Sequence, residues 1–537
     1  MPHQQSQEKR LWWQNGIVYQ IYPRSFQDSN ADGIGDLPGI EFRLDHLVSL
    51  GVDALWISPF YPSPMADFGY DVADYTGVDP IFGTLDDFDR LIASAHRRGL
   101  KLILDFVPNH TSNQHPWFLE SRSSRDNPKR DWYLWRDGRD GSYPNNWMSN
   151  FGGPGWTWDE LTQQFYYHSF LAEQPDLNWH NLEVRAAIYA AMRFWLDKGV
   201  DGFRMDVLWL LIKDADFRDN LPNPEWHPGA SSFWSVLPTY TADQPETHAI
   251  VREMRAVLDA YDQRVLIGEI YLPLPELVRY YGVAENGVLD GAQMPFNFRL
   301  IQTDWSADHI AALIHEYEGV LPAGAWPNWV LGNHDQSRLA SRIGADQARA
   351  AAMLLLTLRG TPTIYYGEEI GMTNGRIPPE LVQDPAEKNQ PGIGMGRDPE
   401  RTPMQWDATP NAGFTTGTPW LPINPDFATV NVVQETSDPR SMLALYRKLI
   451  ELRRLHPALH EGEIHDIRSK RGVLTYTRTH PNSPDRFQIV LNLTHDVQTV
   501  NCDEGHIVLT TIMDGAGSPV GGPITIEAGE GLLIALD

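Results

Sequence analysis

Residues 198–212 read KGVDGFRMDVLWLLI. The stretch up to Val207 has the texture of a short strand, and it leads into a helical pattern. On a strand, residues two apart face the same side. Arg204 and Asp206 therefore face one way, and Phe203 and Met205 the other. A surface ion pair would contribute little. The alternative is a carboxylate kept ionised for chemistry.

The same texture recurs along the chain. GIVYQIYPRSF (16–26), GVDALWISPF (51–60), GLKLILDFVPNH (99–110), RVLIGEI (264–270), GVLDGAQMPF (287–296), NWVLGNHD (328–335) and GTPTIYYGEE (360–369) are strand-like. Amphipathic patterns such as LDDFDRLIASAHRR and VRAAIYAAMRFWLDK lie between them. Eight alternating apolar strands and helices predict a parallel sheet closed into a barrel. Two long irregular stretches, about 111–178 and about 371–435, follow the third and eighth strands, on the barrel face where active sites form. From about 462 the chain shows alternating runs such as GVLTYTRTH and RFQIVLNLT. The expected architecture is an α/β fold: a (β/α)8 TIM barrel over 1–108 and 179–461, with an irregular insertion at about 371–435. A loop-rich subdomain spans 109–178 after strand 3, and an all-β sandwich domain spans 462–537.

Bulk properties narrow the function. Among 537 residues, Lys plus Arg number 43 and Asp plus Glu 70, a net charge of −27. Such a surface repels nucleic acid and anionic lipid, but not a neutral sugar. The 19 Trp and 20 Tyr suit stacking on sugar rings. The single cysteine permits no intramolecular disulfide, which fits a reducing compartment. The start, MPHQQSQEKRLWWQNG, has no apolar core, and no run of about 18 apolar residues occurs. The expectation is a cytoplasmic protein with no membrane partner.

Polar groups gather at the strand ends: Asp105, Asn109 and His110; Arg204 and Asp206; Glu269; His334 and Asp335. A lone strand-end Asp most often caps the next helix. Several carboxylates aimed at one pocket repel each other and cost stability unless they have a use. Four carboxylates, one arginine and two histidines, without a Cys/His cluster, suit glycoside hydrolysis, which needs two carboxyls in opposite protonation states. In this reading Arg204 keeps Asp206 ionised, while neighbouring carboxylates raise the pKa of Glu269 until it can donate a proton.

DSNADGIGD (28–36) follows the first strand. Asp28, Asn30 and Asp32 fall at positions 1, 3 and 5 of an EF-hand-like loop, with Gly33 at 6, the Ile34 carbonyl at 7 and Asp36 at 9. Position 12 is Gly39 instead of the bidentate Glu. One structural Ca²⁺ or Mg²⁺ is expected there, and no cofactor for the chemistry.

DFVPNH, GFRMD, IGEI and LGNHD resemble, in order and approximate spacing, the four sequence regions of the α-amylase family, glycoside hydrolase family 13. QPDLN (174–178) and RTPMQW (401–406) resemble markers of its α-glucosidase and oligo-1,6-glucosidase branch. The resemblance implies Asp206 as nucleophile, Glu269 as general acid/base and Asp335 as the carboxylate gripping sugar hydroxyls. It implies a terminal-glucose subsite lined by Asp67, Tyr70, His110, Arg204, His334 and Arg401, with Phe151, Phe170 and Gln174 nearby and Tyr70 stacking on the ring. A retaining reaction places the two working carboxyls about 5–5.5 Å apart. Val207, following the nucleophile, is the residue that tends to accompany α-1,6 cleavage in this branch. The implied activity is exo-acting release of α-glucose from short α-glucosides (maltose, isomaltose, sucrose), with transglucosylation when a second sugar replaces water. A sucrose or maltose isomerase or a trehalose synthase is the alternative on this scaffold. A non-catalytic transporter-associated or sugar-binding relative would lack the carboxylate set. The expected oligomeric state is monomer or homodimer.

Overall fold

A computed structural model describes residues 11–284 and 286–537. The reading of residues 1–10 as free of an apolar signal core lies outside the described residues. Barrel strands β1 (Val18–Ile21), β2 (Ala54–Ile57) and β3 (Lys101–Phe106) lead to an excursion carrying β4 (Trp135–Arg136), β5 (Trp156–Asp159) and β6 (Gln164–Tyr167). The barrel resumes with β7 (Gly202–Met205), and a hairpin of β8 (Leu221–Pro222) and β9 (Val236–Leu237) follows. Then come β10 (Val265–Gly268), β11 (Met294–Pro295), β12 (Asn328–Val330) and β13 (Thr361–Tyr365).

The eight barrel strands form one parallel sheet in the order β11-β10-β7-β3-β2-β1-β13-β12. Pairing of β1 with β13 joins the first strand to the last, Val18 opposite Thr363. Between β11 and β12 a side chain replaces the ladder: Asn328 accepts from the Asn297 N–H at 2.9 Å and donates to the Pro295 carbonyl at 2.6 Å.

Alternation along each strand sorts two cores. Val18, Ala54, Trp56, Ile103, Ile267 and Val330 point inward and pack together, with Trp13 beneath them. Tyr19, Leu55, Leu104, Phe203 and Met205 belong to the larger cluster beneath the surrounding helices. Phe203 and Met205 thus face away from Arg204, as the strand period requires. Helix Leu85–Arg97 shows how the outer layer forms. Thr84 and Asp87 make a reciprocal capping box, Phe88, Leu91, Ile92 and Ala95 form the buried stripe, and Gly99 follows the end with φ +80°.

β4, β6 and β5 make a small antiparallel sheet beyond β3. A buried ion pair joins this excursion to the barrel. Lys213 meets Asp176 and donates to Asn109 Oδ1 at 2.6 Å. Asp176, inside QPDLN, also accepts from Ser169 N at 2.7 Å and Asn109 Nδ2 at 3.1 Å. The C-terminal part holds β14 (Glu463–Lys470), β15 (Val473–Thr479), β16 (Arg486–Asn492), β17 (Gln498–Thr510), β18 (Pro519–Ile526) and β19 (Gly531–Leu536). They form an antiparallel sheet ordered β14-β15-β16-β19-β17-β18, whose Val473, Val490, Cys502, Ile526 and Ile534 share a core of their own. Two register shifts in β17 bend the sheet so that this core closes. No described helix is long and apolar enough to cross a membrane.

Candidate active site

A cavity of about 1190 Å³ opens at the C-terminal ends of the barrel strands. Asp206, Glu269, Asp335, Asp67, Tyr70, His110, Phe151, Phe170, Gln174, Val207 and His334 all line it. Arg204 and Arg401 do not; both are fully buried behind the wall. Their guanidinium groups reach the carboxylates of the pocket: Arg204 meets Asp206 and Arg401 meets Asp335.

The sequence reading gave Arg204 one partner, and the structure gives it three. Its Nη1 donates to Asp105 Oδ1 at 2.7 Å and to Asp206 Oδ1 at 2.8 Å. Its Nη2 lies 2.8 Å from Glu269 Oε2 but makes no aligned hydrogen bond. Burial pushes the Asp206 carboxyl well up, the Glu269 charge adds to this, and Arg204 opposes it. Burial raises Glu269 as well, with Arg204 opposing and Asp335 adding. Two buried carboxyls beside one shared cation titrate as a pair. The aligned, charge-assisted bond goes to Asp206 and favours its anion, against the strong upward push of burial.

Val207 sets the other side of Glu269. Its N–H donates to Glu269 Oε2 at 2.8 Å. To do so, Val207 adopts φ 39°, ψ 45°, a left-handed conformation that a β-branched side chain resists. Glu269 Oε2 is thus occupied from the protein side, and Oε1 is the freer oxygen.

Asp335 is treated differently. Arg401 Nη2 donates to its Oδ1 at 2.8 Å and Arg397 Nη1 at 3.2 Å, while His334 Nε2 is 3.2 Å from Oδ2. Burial opposes ionisation, yet the Arg397 and Arg401 charges hold this carboxyl well below the usual range. His334 itself is kept neutral by burial. Gln20 Nε2 lies 2.8 Å from its Nδ1, and its Nε2 lies 2.6 Å from the Tyr70 hydroxyl, which donates to Asp105 Oδ2 at 3.0 Å. This relay places the imidazole proton on Nε2. His110 is also neutral, its pKa lowered by burial to about 4, and its Nε2–H reaches the Tyr70 carbonyl at 3.0 Å.

Sequence reasoning missed Arg397. Its Nη2 donates to Asp67 Oδ1 at 2.7 Å and to Asp384 Oδ1 at 2.7 Å, and the side chain lines the cavity over the Phe151 ring. It occupies the wall position expected of Arg401. The available signal was its place in GRD, four residues before RTPMQW, where a glycine precedes the arginine and an acid follows it. Asp105, noted only as a strand-end acid, turns out to be the second anchor of Arg204. Glu400 is also on the wall, and burial pushes its carboxyl up to about 8, against the pull of Arg401.

Loop 28–36 lies apart from the lining residues of this cavity. Gly33 has φ +89° and makes the sharp turn at position 6. Asp28 Oδ1 accepts from Asn30 N and Ala31 N, both at 2.8 Å; its Oδ2 accepts from Gly33 N at 2.8 Å and from Thr415 Oγ1 at 2.5 Å. Asn30 Oδ1 accepts from Asp32 N at 2.9 Å, and Asp32 Oδ1 from Ile34 N at 2.8 Å. Asp36 caps the following helix through Gly39 N at 2.7 Å and accepts from Ser29 Oγ at 2.8 Å. The backbone fits an EF-hand-like loop. The side chains fit in part: among the described residues, no group of three or more His, Cys, Asp or Glu is arranged to hold a metal ion.

A barrel whose buried acid pair shares one guanidinium at the floor of a deep pocket suits a glycoside hydrolase. The chain belongs to the α-amylase family: the description of the alpha amylase catalytic domain matches residues 20–462. A probable alpha-glucosidase of Rhizobium meliloti (strain 1021) is 42% identical over 527 residues, covering 94% of this chain and 95% of that protein. An oligo-1,6-glucosidase of Parageobacillus thermoglucosidasius is 40% identical over 540 residues, covering 94% of each. Among solved structures, the alpha-glucosyl transfer enzyme XgtA superposes with a TM-score of 0.91 at 39% identity, covering 98% of this chain and 100% of its own. The isomaltulose synthase SmuA from Protaminobacter rubrum gives a TM-score of 0.91 at 34% identity, with the same coverage.

Proposed function

We propose that the protein is a retaining, exo-acting α-glucosidase that releases α-glucose from the non-reducing end of short α-glucosides. The observation that carries this is the single Arg204 guanidinium shared by Asp206 and Glu269 at the floor of the cavity. Sharing one cation keeps the two carboxyls close, which suits a nucleophile and an acid on one glycosidic bond and leaves little room for a separate water. Glu269 Oε1 protonates the leaving oxygen, and Asp206 attacks C1 through Oδ2, the oxygen Arg204 leaves free. The resulting carboxylate of Glu269 then takes a proton from water, which displaces Asp206. Asp335, Asp67 and Arg397 hold the sugar hydroxyls, and the permanent charge of Asp335 strengthens its grip as positive charge develops on the ring. A second sugar in place of water gives transglucosylation.

The isomaltulose synthase among the structural relatives favours one second reading, sucrose isomerisation on the same acid pair. A panel of maltose, isomaltose, sucrose and trehalose, with products followed in time by NMR, separates the two. Initial release of α-glucose supports the hydrolase. Initial β-glucose, or no glucose from any substrate, overturns it, and a sucrose isomer as main product selects the second reading.

The loop at 28–36 is proposed to hold one structural Ca²⁺ or Mg²⁺ through Asp28, Asn30, Asp32, Asp36 and the Ile34 carbonyl. The hard oxygen donors and the turn at Gly33 support this, and the ion takes no part in the reaction.

A further inference from the structure

One acid on the cavity wall has no part in the reaction described above. Glu400 lines the cavity one residue before Arg401, and only 4% of it is exposed. Arg401 turns away from it, to Asp335 and to the His334 carbonyl. Arg397 is engaged with Asp67, Asp384 and Asp335. Among the described residues, no other side chain makes a hydrogen bond or ion pair with the Glu400 carboxyl. A buried carboxyl without a side-chain partner is costly. On a cavity wall, a ligand with hydroxyl groups supplies the partner.

The backbone around Glu400 is held from three sides. Asp398–Arg401 form a short helical turn with Pro399 in its first positions. The Tyr365 hydroxyl donates to the Glu400 carbonyl at 3.1 Å, and the Tyr366 hydroxyl to the Thr402 carbonyl at 2.7 Å. Gly375 N donates to the Pro399 carbonyl at 2.7 Å, and its neighbours Asn374 and Ile377 share the cavity wall with Glu400. A carboxyl on so fixed a turn is presented to a ligand in one position.

The charged and titratable groups around it come from several elements. Its own segment carries Arg397, Asp398 and Arg401; Asp384 lies beside Asp398, and exposed Arg376 follows Gly375. His334 and Asp335 come from the end of β12, and Tyr365 and Tyr366 from the end of β13. His334 and the two tyrosines are neutral. Burial pushes the Glu400 carboxyl up to about 8; Arg401 and its own N–H oppose this, and the Asp335 charge adds to it. A protonated carboxyl is a hydrogen-bond donor, whereas the Asp335 carboxylate only accepts. A sugar hydroxyl that donates to Asp335 still has lone pairs to satisfy, and a donor on the same wall satisfies one.

We propose that Glu400 is a further substrate-binding residue, whose carboxyl group donates a hydrogen bond to a sugar hydroxyl that Asp335 holds from the other side. This rests on the α-glucosidase reading and adds a residue to its binding site. The carboxylate form of Glu400 has no proton to donate, and its charge adds to that of Asp335. Substrate binding therefore weakens as pH rises through the value of the free protein, about 8.

The test reads binding without turnover. In an Asp206→Ala background, the Kd of a disaccharide is measured by titration calorimetry from about pH 6 to about pH 9. The disaccharide is whichever of maltose and isomaltose the unsubstituted enzyme cleaves. Adding Glu400→Ala is expected to raise Kd about two- to tenfold at the acid end. Glu400→Gln, whose amide donates at every pH, is expected to recover most of that loss. With Glu400 in place, Kd is expected to rise by about the same two- to tenfold towards the alkaline end, and both Glu400 variants are expected to lose that rise. An unchanged Kd in the alanine variant at the acid end, or the same alkaline rise with Glu400→Gln, overturns the assignment of Glu400 alone. Absence of glucose from both disaccharides with the unsubstituted enzyme overturns the α-glucosidase reading, and the assignment with it.

Discussion

Two acidic clusters sit in one chain and are compensated in opposite ways. At the cavity floor, Asp206, Glu269 and Asp335 face the guanidinium groups of Arg204, Arg397 and Arg401, and burial pushes the Asp206 pKa up while the arginines hold that of Asp335 down. In loop 28–36, Asp28, Asp32 and Asp36 take most of their hydrogen bonds from the loop itself and the helix it starts. The first arrangement leaves carboxyl oxygens pointing into a cavity with their protonation poised. The second uses carboxylates as turn and cap residues. The residue type is the same; the source of the compensating charge separates a chemical role from an architectural one.

The sharpest attempt to break this contrast is Asp206→Ala. It is expected to lower kcat for α-glucoside cleavage by on the order of 10⁴-fold, with the fold retained by circular dichroism; a loss under tenfold would remove Asp206 from the reaction. Arg397→Lys comes next. It keeps the charge but loses the forked bonds to Asp67 and Asp384, and KM is expected to rise by about 10- to 100-fold. If KM stays unchanged, Arg397 serves the wall without gripping sugar.

Glu400 sharpens the comparison by pH. Its folded pKa of about 8 lies above the ordinary value of 4.5. A group raised in this way contributes stability that is full below its unfolded pKa and is lost as pH rises through the folded one. The wild-type Tm is therefore expected to fall between about pH 5 and 8 more steeply than that of Glu400→Gln. Parallel slopes would mean that Arg401 already holds Glu400 ionised. The smallest effect belongs to the loop. A chelator is expected to lower Tm by about 1–3 °C and to leave kcat unchanged. With no shift in Tm, the loop's own N–H groups are sufficient to hold it.

The sequence legibly carried what depends on local period and composition. Eight strand-like runs with helices between them foretold the barrel, because alternation and amphipathic stripes are local properties. The strand-end acids were legible for the same reason: the end of a barrel strand fixes where its polar residue goes. Arg397 and Arg401 were not separable by sequence, since both lie in one irregular stretch and only packing decides which faces the pocket. The left-handed backbone at Val207 was equally hidden, because nothing in a β-branched residue announces a conformation that it disfavours.

What the chain determined by itself, then, was the barrel, its face of action and the identity of the carboxylates, all of which follow from spacing along a strand. What only the folded molecule decided was the division of one Arg204 among three acids, the left-handed backbone that turns the Val207 N–H onto Glu269, and the choice of Arg397 as the arginine on the cavity wall. Those depend on distances between segments far apart in sequence and on the burial that makes each charge felt, and neither is written in any single stretch.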